Sequence, residues 1–250
     1  MLDTLLTTRV PLWRRLRRGA VRMVFPDLCP WCRRPLAPGD SFLGCAACLE
    51  RIDLIREPYC HRCGLPVEKA VMPFTCSRCL EDPPHFDRLR GVVVYEGVVA
   101  TAIQKLKYER NLSAVHALAR VLYHVADLGL RWHRYDAVVP VPLFPKRYRQ
   151  RWFNQSIILT TALPNAEHLV LRPGWLRRVR DTPRQATLTQ TQRRQNLKGA
   201  FAAKADMSGL KILLVDDVST TGATIDECAK ACKSAGAAIV DAACVARATV

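Results

Sequence analysis

The stretch that decides the fold lies near the end of the chain, at residues 211–224, and reads KILLVDDVSTTGAT. Four apolar residues lead into two adjacent carboxylates, Asp216 and Asp217, and then into a loop of small hydroxyl residues. The apolar run predicts a buried strand, and the residues from about 224 to 235 predict a helix that begins directly after the loop. Residues 237–246, AAIVDAACVA, complete a strand–helix–strand unit. This pattern indicates a parallel sheet with helices on both faces.

The preceding part of the chain shows the same alternation of apolar strands and helices. Further strands are predicted at residues 89–97 and 136–142, and further helices at residues 98–108, 113–127 and 154–162. We therefore predict an α/β fold for the C-terminal part of the chain. Ligands of such sheets bind at the carboxyl ends of the strands, which is where Asp216 and Asp217 stand.

The two carboxylates and the loop together predict a site for a phosphorylated ribose. Small side chains before a helix N-terminus let backbone N–H groups and the helix dipole bind a phosphate, with Thr220, Thr221 and Thr224 as hydroxyl donors. Carboxylates repel a phosphate, so Asp216 and Asp217 suit the hydroxyl groups of a ribose, or a Mg2+ that bridges them to a pyrophosphate. Ribose 5-phosphate with a 1-pyrophosphate meets all these demands. The alternative is an ordinary Asp-Asp turn at the end of a buried strand.

Eight of the eleven cysteines lie in residues 29–79 as four C-x2-C pairs. A twelve-residue gap separates the pairs of each half, and the second half repeats the first after 31 residues. Two such pairs complete a tetrahedral four-cysteine zinc site, whereas disulfides, the alternative, need an oxidising compartment. We predict about two structural Zn2+ ions per chain, with sequential pairing of the halves favoured over interleaved pairing. The predicted ligands are Cys29, Cys32, Cys45, Cys48, Cys60, Cys63, Cys76 and Cys79.

Composition divides the chain into three predicted parts. Residues 1–28 form a basic amphipathic helical segment, residues 29–84 a double zinc-knuckle domain and residues 85–250 the α/β domain. The first segment has arginines where a signal peptide needs its apolar core, and no apolar run is long enough for a transmembrane helix. We expect a cytoplasmic protein. For the basic helix, a solvated surface position is favoured over docking at the inner face of the membrane or on a partner.

The formal net charge is +16, from 38 Lys and Arg against 22 Asp and Glu. Residues 131–200 alone hold fourteen basic side chains and three acidic ones. A field of this kind attracts polyanions, either phosphorylated small molecules or nucleic acid. The alternative is that the charge serves solubility alone, but solubility does not require one sign of charge in one place.

Several basic residues are candidates for a pyrophosphate site. The turn after the strand at 136–142 carries Lys146 and Arg147, unless these are salt-bridged surface charges. The polar stretch RVRDTPRQATLTQTQRRQNLKGAF can close over a charged substrate and bring Arg193 and Arg194 to it, with a solvated loop as the alternative. The helix predicted at residues 98–108 contains Lys105 and Lys107. Because they are two residues apart, only one of them can face a site. We choose Lys107.

The segment 211–224 resembles the phosphoribosylpyrophosphate (PRPP) motif of the type I phosphoribosyltransferases, with four apolar residues, two acids and Thr-Thr-Gly-x-Thr. Ser219 departs from the aliphatic residue usual there. The resemblance implies that Asp216 and Asp217 contact the ribose hydroxyls, in the catalytic site, and that the loop holds the 5-phosphate. The implied loop residues are Ser219, Thr220, Thr221, Gly222, Ala223 and Thr224.

From Cys29 to Ala246 the chain is similar to the ComF family, which includes ComFC- and GntX-like competence proteins. The similarity rests on the CxxC pairs, FDRLRGVVVYEG, IQKLKYER, VVPVPLFPKRYRQRWFNQS, TPRQATLTQTQRRQNLKGAF and the PRPP loop, in this order. It implies a type I phosphoribosyltransferase fold that binds PRPP with Mg2+. For competence members it also implies single-stranded DNA handling in natural transformation, with competence DNA-uptake proteins as partners. Trp152 replaces a common glycine, whereas Arg151 keeps its place and is an implied cofactor-binding residue.

Two functions of different class are open. The first is Mg2+-dependent phosphoribosyl transfer to an unknown acceptor, which needs positioning, cations and exclusion of water rather than a covalent nucleophile. The second is a non-catalytic, zinc-containing nucleic-acid-binding accessory or PRPP sensor. In it, the zinc knuckles and the basic face hold single-stranded DNA, and Trp31, Trp152 or Trp175 stacks on bases.

Overall fold

A computed structural model of the chain describes residues 27–41, 43–182 and 195–249. The chain divides into two compact units, Met1–Glu50 and Arg51–Val250. The predicted helix of residues 1–28 lies outside the described residues, apart from its last two. The first unit holds the helix α1 (Ala46–Leu49) beside its cysteines.

The second unit holds a series of helices and strands. Its helices are α2 (Ser77–Glu81), α3 (Gly97–Glu109), α4 (Val115–Tyr123), α5 (Pro145–Arg151), α6 (Gln155–Thr161) and α7 (Ala223–Ser234). Its strands are β1 (Arg88–Val94), β2 (Ala137–Pro140), β3 (Leu176–Arg178), β4 (Phe201–Ala203), β5 (Lys211–Ser219) and β6 (Ile239–Arg247). Short 3-10 helices cover Leu112–Ala114, His124–Leu128, Trp132–Arg134 and Ala166–His168. Within the described ranges, every helix falls short of the length and apolar character that crossing a bilayer requires.

Four strands form a parallel sheet in the order β1-β6-β5-β2, and β3 and β4 form a separate antiparallel pair. The central strand β5 carries the apolar run 212–215, which is fully buried. Such continuous apolar strands are typical of parallel sheets covered on both faces. The predicted α/β fold with a parallel sheet is confirmed.

Strand β5 is longer than the sequence predicts. It continues through Ser219, because its residues go on pairing with β6, Asp216 opposite Cys244 and Ser219 opposite Arg247. The predicted strand over residues 212–215 is too short at this end, and the predicted loop over residues 218–224 begins two residues too early. Both carboxylates therefore lie within strand β5, and the loop that joins this strand to α7 is short.

The predicted helix over residues 113–127 is shorter than expected, since α4 ends at Tyr123 and 3-10 turns flank it. Asn111 caps the 3-10 turn Leu112–Ala114 that precedes α4, and its side chain accepts a hydrogen bond from the N–H of Ser113. The N-cap residue of α4 itself is Ala114, which makes no side-chain capping hydrogen bond.

The core of the second unit contains the second set of cysteines, packed with the sheet and α7. The N–H of Leu89, in β1, donates to the carbonyl of Arg62 at 2.8 Å. Gly64 has φ +64°, and a Cβ there would lie 2.4 Å from the Leu89 carbonyl oxygen, so only glycine fits this approach. The members of this second set are Cys60, Cys63, Cys76 and Cys79. The predicted domain of residues 29–84 thus spans the boundary between the two units.

Candidate functional site

The eight N-terminal cysteines form two clusters with sequential pairing, Cys29, Cys32, Cys45 and Cys48 in one and Cys60, Cys63, Cys76 and Cys79 in the other. All sulfur atoms of a cluster lie within 4.8 Å of one another. In each cluster one pair of sulfurs from different C-x2-C pairs is 3.8 Å apart. A tetrahedron with Zn–S bonds of about 2.3 Å has an edge of about 3.8 Å, so both clusters fit structural Zn2+. The favoured sequential pairing is confirmed.

In each cluster, backbone N–H groups donate hydrogen bonds to the sulfur of the first cysteine. The N–H of Cys45 donates to Cys29 Sγ at 3.4 Å, and the N–H of Cys76 donates to Cys60 Sγ at 3.4 Å. A second bond to Cys60 comes from the N–H of Cys63 at 3.5 Å. Such donors favour the thiolate, the form that binds metal. Four protein ligands leave no open position, which is the arrangement of structural zinc rather than catalytic zinc.

The remaining cysteines, Cys228, Cys232 and Cys244, are free and buried. Burial raises the pKa of Cys232 and Cys244 to about 12. A thiol with so high a pKa is a poor nucleophile at neutral pH.

A cavity of about 600 Å³ lies at the carboxyl edge of the parallel sheet. Its floor is the end of β5 and the loop that leads into α7, and its walls come from α3, α5, α6 and β3. It brings together both carboxylates and three of the six cations predicted from the sequence. The predicted site residues that line it are Lys107, Arg147, Arg151, Asp216, Asp217, Ser219, Thr220, Thr221, Gly222, Ala223 and Thr224.

Asp217 forms an ion pair with Lys107, with 2.7 Å between the carboxylate Oδ2 and Nζ. Burial by itself would lower the pKa of Lys107, but the charge of Asp217 outweighs it and the pKa is raised. Asp217 Oδ1 accepts from the N–H of Val218 at 2.9 Å. Lys107 is thus the lysine of α3 that faces the carboxylates, and it stays charged there.

Asp216 is held by two donors on one carboxylate oxygen. Its Oδ1 accepts from the hydroxyl of Ser156 at 3.0 Å and from the N–H of Asp217 at 2.9 Å. Burial and then the neighbouring charge of Asp217 raise the pKa of Asp216 to about 7. One of two adjacent carboxylates is therefore easily protonated near neutral pH.

The loop into α7 has the backbone of an anion site. Gly222 has φ +84°, and the first bond of α7 runs from the N–H of Asp226 to the carbonyl of Gly222 at 2.8 Å. The N–H groups of a first helical turn have no intrahelical acceptor and carry the positive end of the helix dipole. The hydroxyl of Ser219 is buried with no hydrogen-bond partner among the described residues. This arrangement suits a phosphate.

Two buried polar residues of the cavity, Arg178 and Gln155, escaped the sequence-based site prediction. Arg178 is only 6% exposed, lines the cavity and donates to the hydroxyl of Thr182. Burial and the charge of Arg147 lower the pKa of Arg178 to about 10. Gln155 is also buried in the lining, and its Nε2 has no partner among the described residues. The alternation of inward and outward residues along β3 would have separated Arg178 from exposed Arg177, had that short strand been predicted.

One predicted site residue, Lys146, is described by the structure but is not brought to the cavity. Lys146 is exposed, its Nζ lies 3.9 Å from Asp181, and it is not among the described lining residues, as its surface-charge alternative implied. Arg193 and Arg194 lie outside the described residues. The expectation that Trp31 stacks on bases is wrong, because it is buried and its indole N–H donates to the Leu43 carbonyl.

Comparison with known proteins matches two families, one on each part of the chain. Residues 20–80 match the double zinc ribbon domain, in agreement with the two four-cysteine clusters. Residues 166–249 match the phosphoribosyl transferase domain, in agreement with the parallel sheet and the loop before α7.

The chain is also similar to proteins of named function over most of its length. It is 35% identical over 230 residues to DNA utilization protein YhgH of Escherichia coli K12, covering 90% of this chain and 99% of that protein. It is 31% identical to Competence protein F of Haemophilus influenzae, over 83% of this chain and 91% of that protein. Competence protein ComFC of Bacillus subtilis is 23% identical, over 72% of this chain and 74% of that protein. With a double zinc ribbon ahead of a phosphoribosyl transferase domain, the chain belongs to the ComF family of competence and DNA-utilization proteins.

Proposed function

We propose that the cavity binds PRPP with Mg2+ and that the protein transfers the phosphoribosyl group to an acceptor still to be identified. The observation that carries this proposal is the meeting of two carboxylates, a phosphate-binding loop and three guanidinium groups in one cavity. A ribose needs hydroxyl acceptors, a 5-phosphate needs N–H donors, and a pyrophosphate needs cations. The lining provides the hydroxyl acceptors, the N–H donors and the cations, each from different residues.

Each part of PRPP has chemically matched residues in this proposal. Asp216 and Asp217 accept hydrogen bonds from the ribose hydroxyls, and the loop of residues 219–224 holds the 5-phosphate. The guanidinium groups of Arg147, Arg151 and Arg178 face the pyrophosphate. Bound Mg2+ would neutralise charge on the departing pyrophosphate, and carboxylate oxygens are ligands that suit it. The chain's own contribution is positioning and electrostatic stabilisation.

A PRPP sensor that does not turn over is the alternative. The described lining residues include neither histidine nor cysteine, so the cavity offers binding groups rather than a nucleophile. Phosphoribosyl transfer requires no covalent nucleophile from the protein, so the lining fits both functions. Turnover distinguishes them. Release of pyrophosphate from PRPP, measured over a panel of free bases and single-stranded DNA, supports the transferase, and binding without release supports the sensor.

We also propose that the protein handles single-stranded DNA together with competence DNA-uptake proteins. Relatives over most of the chain are named for DNA utilization and competence, and the net charge of +16 favours a polyanionic partner. This role places the protein in the cytoplasm, with the inner face of the membrane as a working position. DNA binding driven by these charges should weaken as salt concentration rises.

PRPP with Mg2+ is expected to raise the melting temperature of the parent by about 5–10 °C at saturating ligand, because a ligand that binds only the folded state stabilises it. Asp217→Asn and Gly222→Val should abolish this shift, the first by removing a ribose acceptor and the second by straining a φ of +84°. Differential scanning fluorimetry measures it.

Arg178→Ala and Arg177→Ala form a matched pair in β3, since the first side chain lines the cavity and the second is exposed. Arg178→Ala should reduce the shift and Arg177→Ala should keep it. If the Asp217 and Gly222 variants respond to PRPP as the parent does, the PRPP proposal is wrong.

Asp216→Asn is expected to stabilise the free protein by an amount that grows between pH 5 and pH 8. The pKa of Asp216 is raised in the folded state, so the folded protein binds more protons than the unfolded chain between about pH 4 and 7. The free energy of unfolding therefore falls as pH rises through this range, and an uncharged amide removes that fall. The melting temperature at pH 8 should rise by several degrees.

A constant difference between Asp216→Asn and the parent from pH 5 to pH 8 would show that Asp216 does not titrate in this range.

A further inference from the structure

Two exposed aromatic rings at the edge of the cavity are each covered by a guanidinium group. Arg110 Cζ lies 5.4 Å from the ring centre of Trp152, and Arg151 Cζ lies 5.4 Å from the ring centre of Tyr108. Tyr108 and Arg151 line the cavity. Trp152 is 72% exposed and Tyr108 is 62% exposed. We call these four residues the stacking rim.

The stacking rim is built on two helix ends with a backbone that favours glycine. Arg110 ends α3 with φ +56°, and Trp152 ends α5 with φ +71°. The guanidinium of Arg110 donates to the carbonyl of Gln150 at 3.1 Å, which joins the two ends. A left-handed residue with a side chain costs about 1–2 kcal/mol, and an exposed ring recovers little of this by burial. Strain at an exposed aromatic residue beside a cavity points to a role in binding.

We propose that the stacking rim binds the unpaired bases of single-stranded DNA at the edge of the PRPP cavity. This inference rests on the proposed handling of single-stranded DNA and assigns its contact surface. Every base has a flat π face, so stacking on Trp152 and Tyr108 is independent of sequence. Arg110 and Arg151 hold the rings from one side and add positive charge for the phosphates.

The charges around the rim favour a nucleic acid strand over other partners. Arg110, Arg149 and Arg151 lie on these two helix ends, against the single carboxylate of Glu109, whereas Lys107 is paired with Asp217. Bases of a duplex are already stacked on one another, so exposed rings select an unpaired strand. A membrane surface would require contiguous apolar area, whereas the rings here alternate with cations. The rim therefore fits an anionic polymer with flat, accessible bases.

Binding of a fluorescent oligo(dT) by the full chain, measured by anisotropy over a range of salt concentrations, tests the rim. Trp152→Gly removes the ring and suits the left-handed backbone, so this variant should fold well and bind about tenfold or more weakly. Because a ring neutralises no phosphate, its log–log salt slope should equal that of the parent. Arg149→Ala should instead reduce the slope by about 0.7. Trp152→Phe should retain most of the affinity.

Tyr148→Ala is the matched control, since it removes a half-exposed ring from α5 outside the described lining of the cavity. Its affinity for oligo(dT) should stay near that of the parent. A second test uses the parent protein and an oligonucleotide with abasic sites, which the parent should bind at least as weakly as Trp152→Gly binds oligo(dT), because an abasic strand loses stacking on Tyr108 as well. Trp152→Gly should also keep the full melting shift with PRPP and Mg2+, because Trp152 is not among the described lining residues.

The stacking-rim proposal is wrong if the parent and Trp152→Gly bind oligo(dT) equally, or if the parent binds normal and abasic strands equally. Neither result contradicts the proposed DNA function. A parent that binds no oligonucleotide at low salt, or binds only anionic vesicles, overturns the rim and the DNA function together. The PRPP proposal is judged separately in each case, by the melting shift.

Discussion

Cys60→Ser is expected to abolish cooperative folding of the second unit, whereas Cys32→Ser should leave the melting of that unit unchanged. Cys60 is fully buried, and its cluster packs in one core with the sheet and α7. Structural zinc binding is worth about 10–16 kcal/mol in zinc-finger peptides, which exceeds or matches the about 5–15 kcal/mol that stabilises a typical domain. Cys32 belongs to the cluster of the first unit and is exposed.

Elemental analysis measures the zinc content of the parent and of each variant, and thermal melting measures their stability. The parent should contain about two zinc ions per chain and each variant about one. The PRPP-induced shift should survive in Cys32→Ser and vanish in Cys60→Ser. A Cys60→Ser protein with parental zinc content and melting temperature, or a parent that contains iron in place of zinc, would contradict the assignment of the clusters.

Arg247→Met is expected to weaken PRPP binding tenfold or more, although Arg247 is not among the described residues of the cavity lining. This fully buried residue of β6 donates from Nε to the Cys63 carbonyl at 3.3 Å and from Nη1 to the Ser219 carbonyl at 2.9 Å. It thus joins the second cysteine cluster to the start of the phosphate loop. Methionine leaves the Cys63 carbonyl without this donor, at about 1–3 kcal/mol, and leaves the Ser219 carbonyl only the hydrogen bond from the N–H of Ala248 at 3.0 Å.

Arg90→Met is the matched control for this effect. Arg90 is also buried, but it donates to the carbonyls of Leu89 and His61, away from the phosphate loop. Both variants should melt at lower temperature, and only Arg247→Met should bind PRPP more weakly by calorimetry. Arg247→Lys keeps the charge without the fork of donors and should lie between parent and Arg247→Met. Equal loss of PRPP affinity in the Arg90 and Arg247 variants would refute a specific role for Arg247.

Local spacing allowed the clusters and the sheet to be predicted, because both depend on residues close in sequence. Two cysteines three positions apart already define one edge of a tetrahedron, and four apolar residues before two acids define a strand end. Helix geometry limited the site to one of Lys105 and Lys107 without deciding between them, and the structure brings the chosen Lys107 to Asp217. These inferences required no knowledge of which elements pack together.

The features that were missed depend on contacts between distant segments. Arg178 faces the cavity and Arg177 faces solvent because β3 pairs with β4, and nothing in the letters LRR distinguishes them. Trp31 is buried because Gly44 leaves room for its ring, where a Cβ would lie 2.5 Å from it. The length of β5 is set by its partner β6 and not by its own apolar run. Each outcome follows from a neighbour that the sequence pattern does not identify.

The close packing of Gly64 against Leu89 has a consequence for dividing the protein into fragments. A fragment that starts after the Pro-Pro dipeptide at 83–84 would expose Phe86 and Leu89, which are buried in the same core as the second cysteine cluster. It would also lose the carbonyl of Arg62 that accepts from the N–H of Leu89. A fragment that starts at Arg51 keeps the second cysteine cluster and the carbonyl of Arg62. The second ribbon is therefore not an exchangeable module, and protein engineers who wish to graft or swap the phosphoribosyl transferase domain should carry it along.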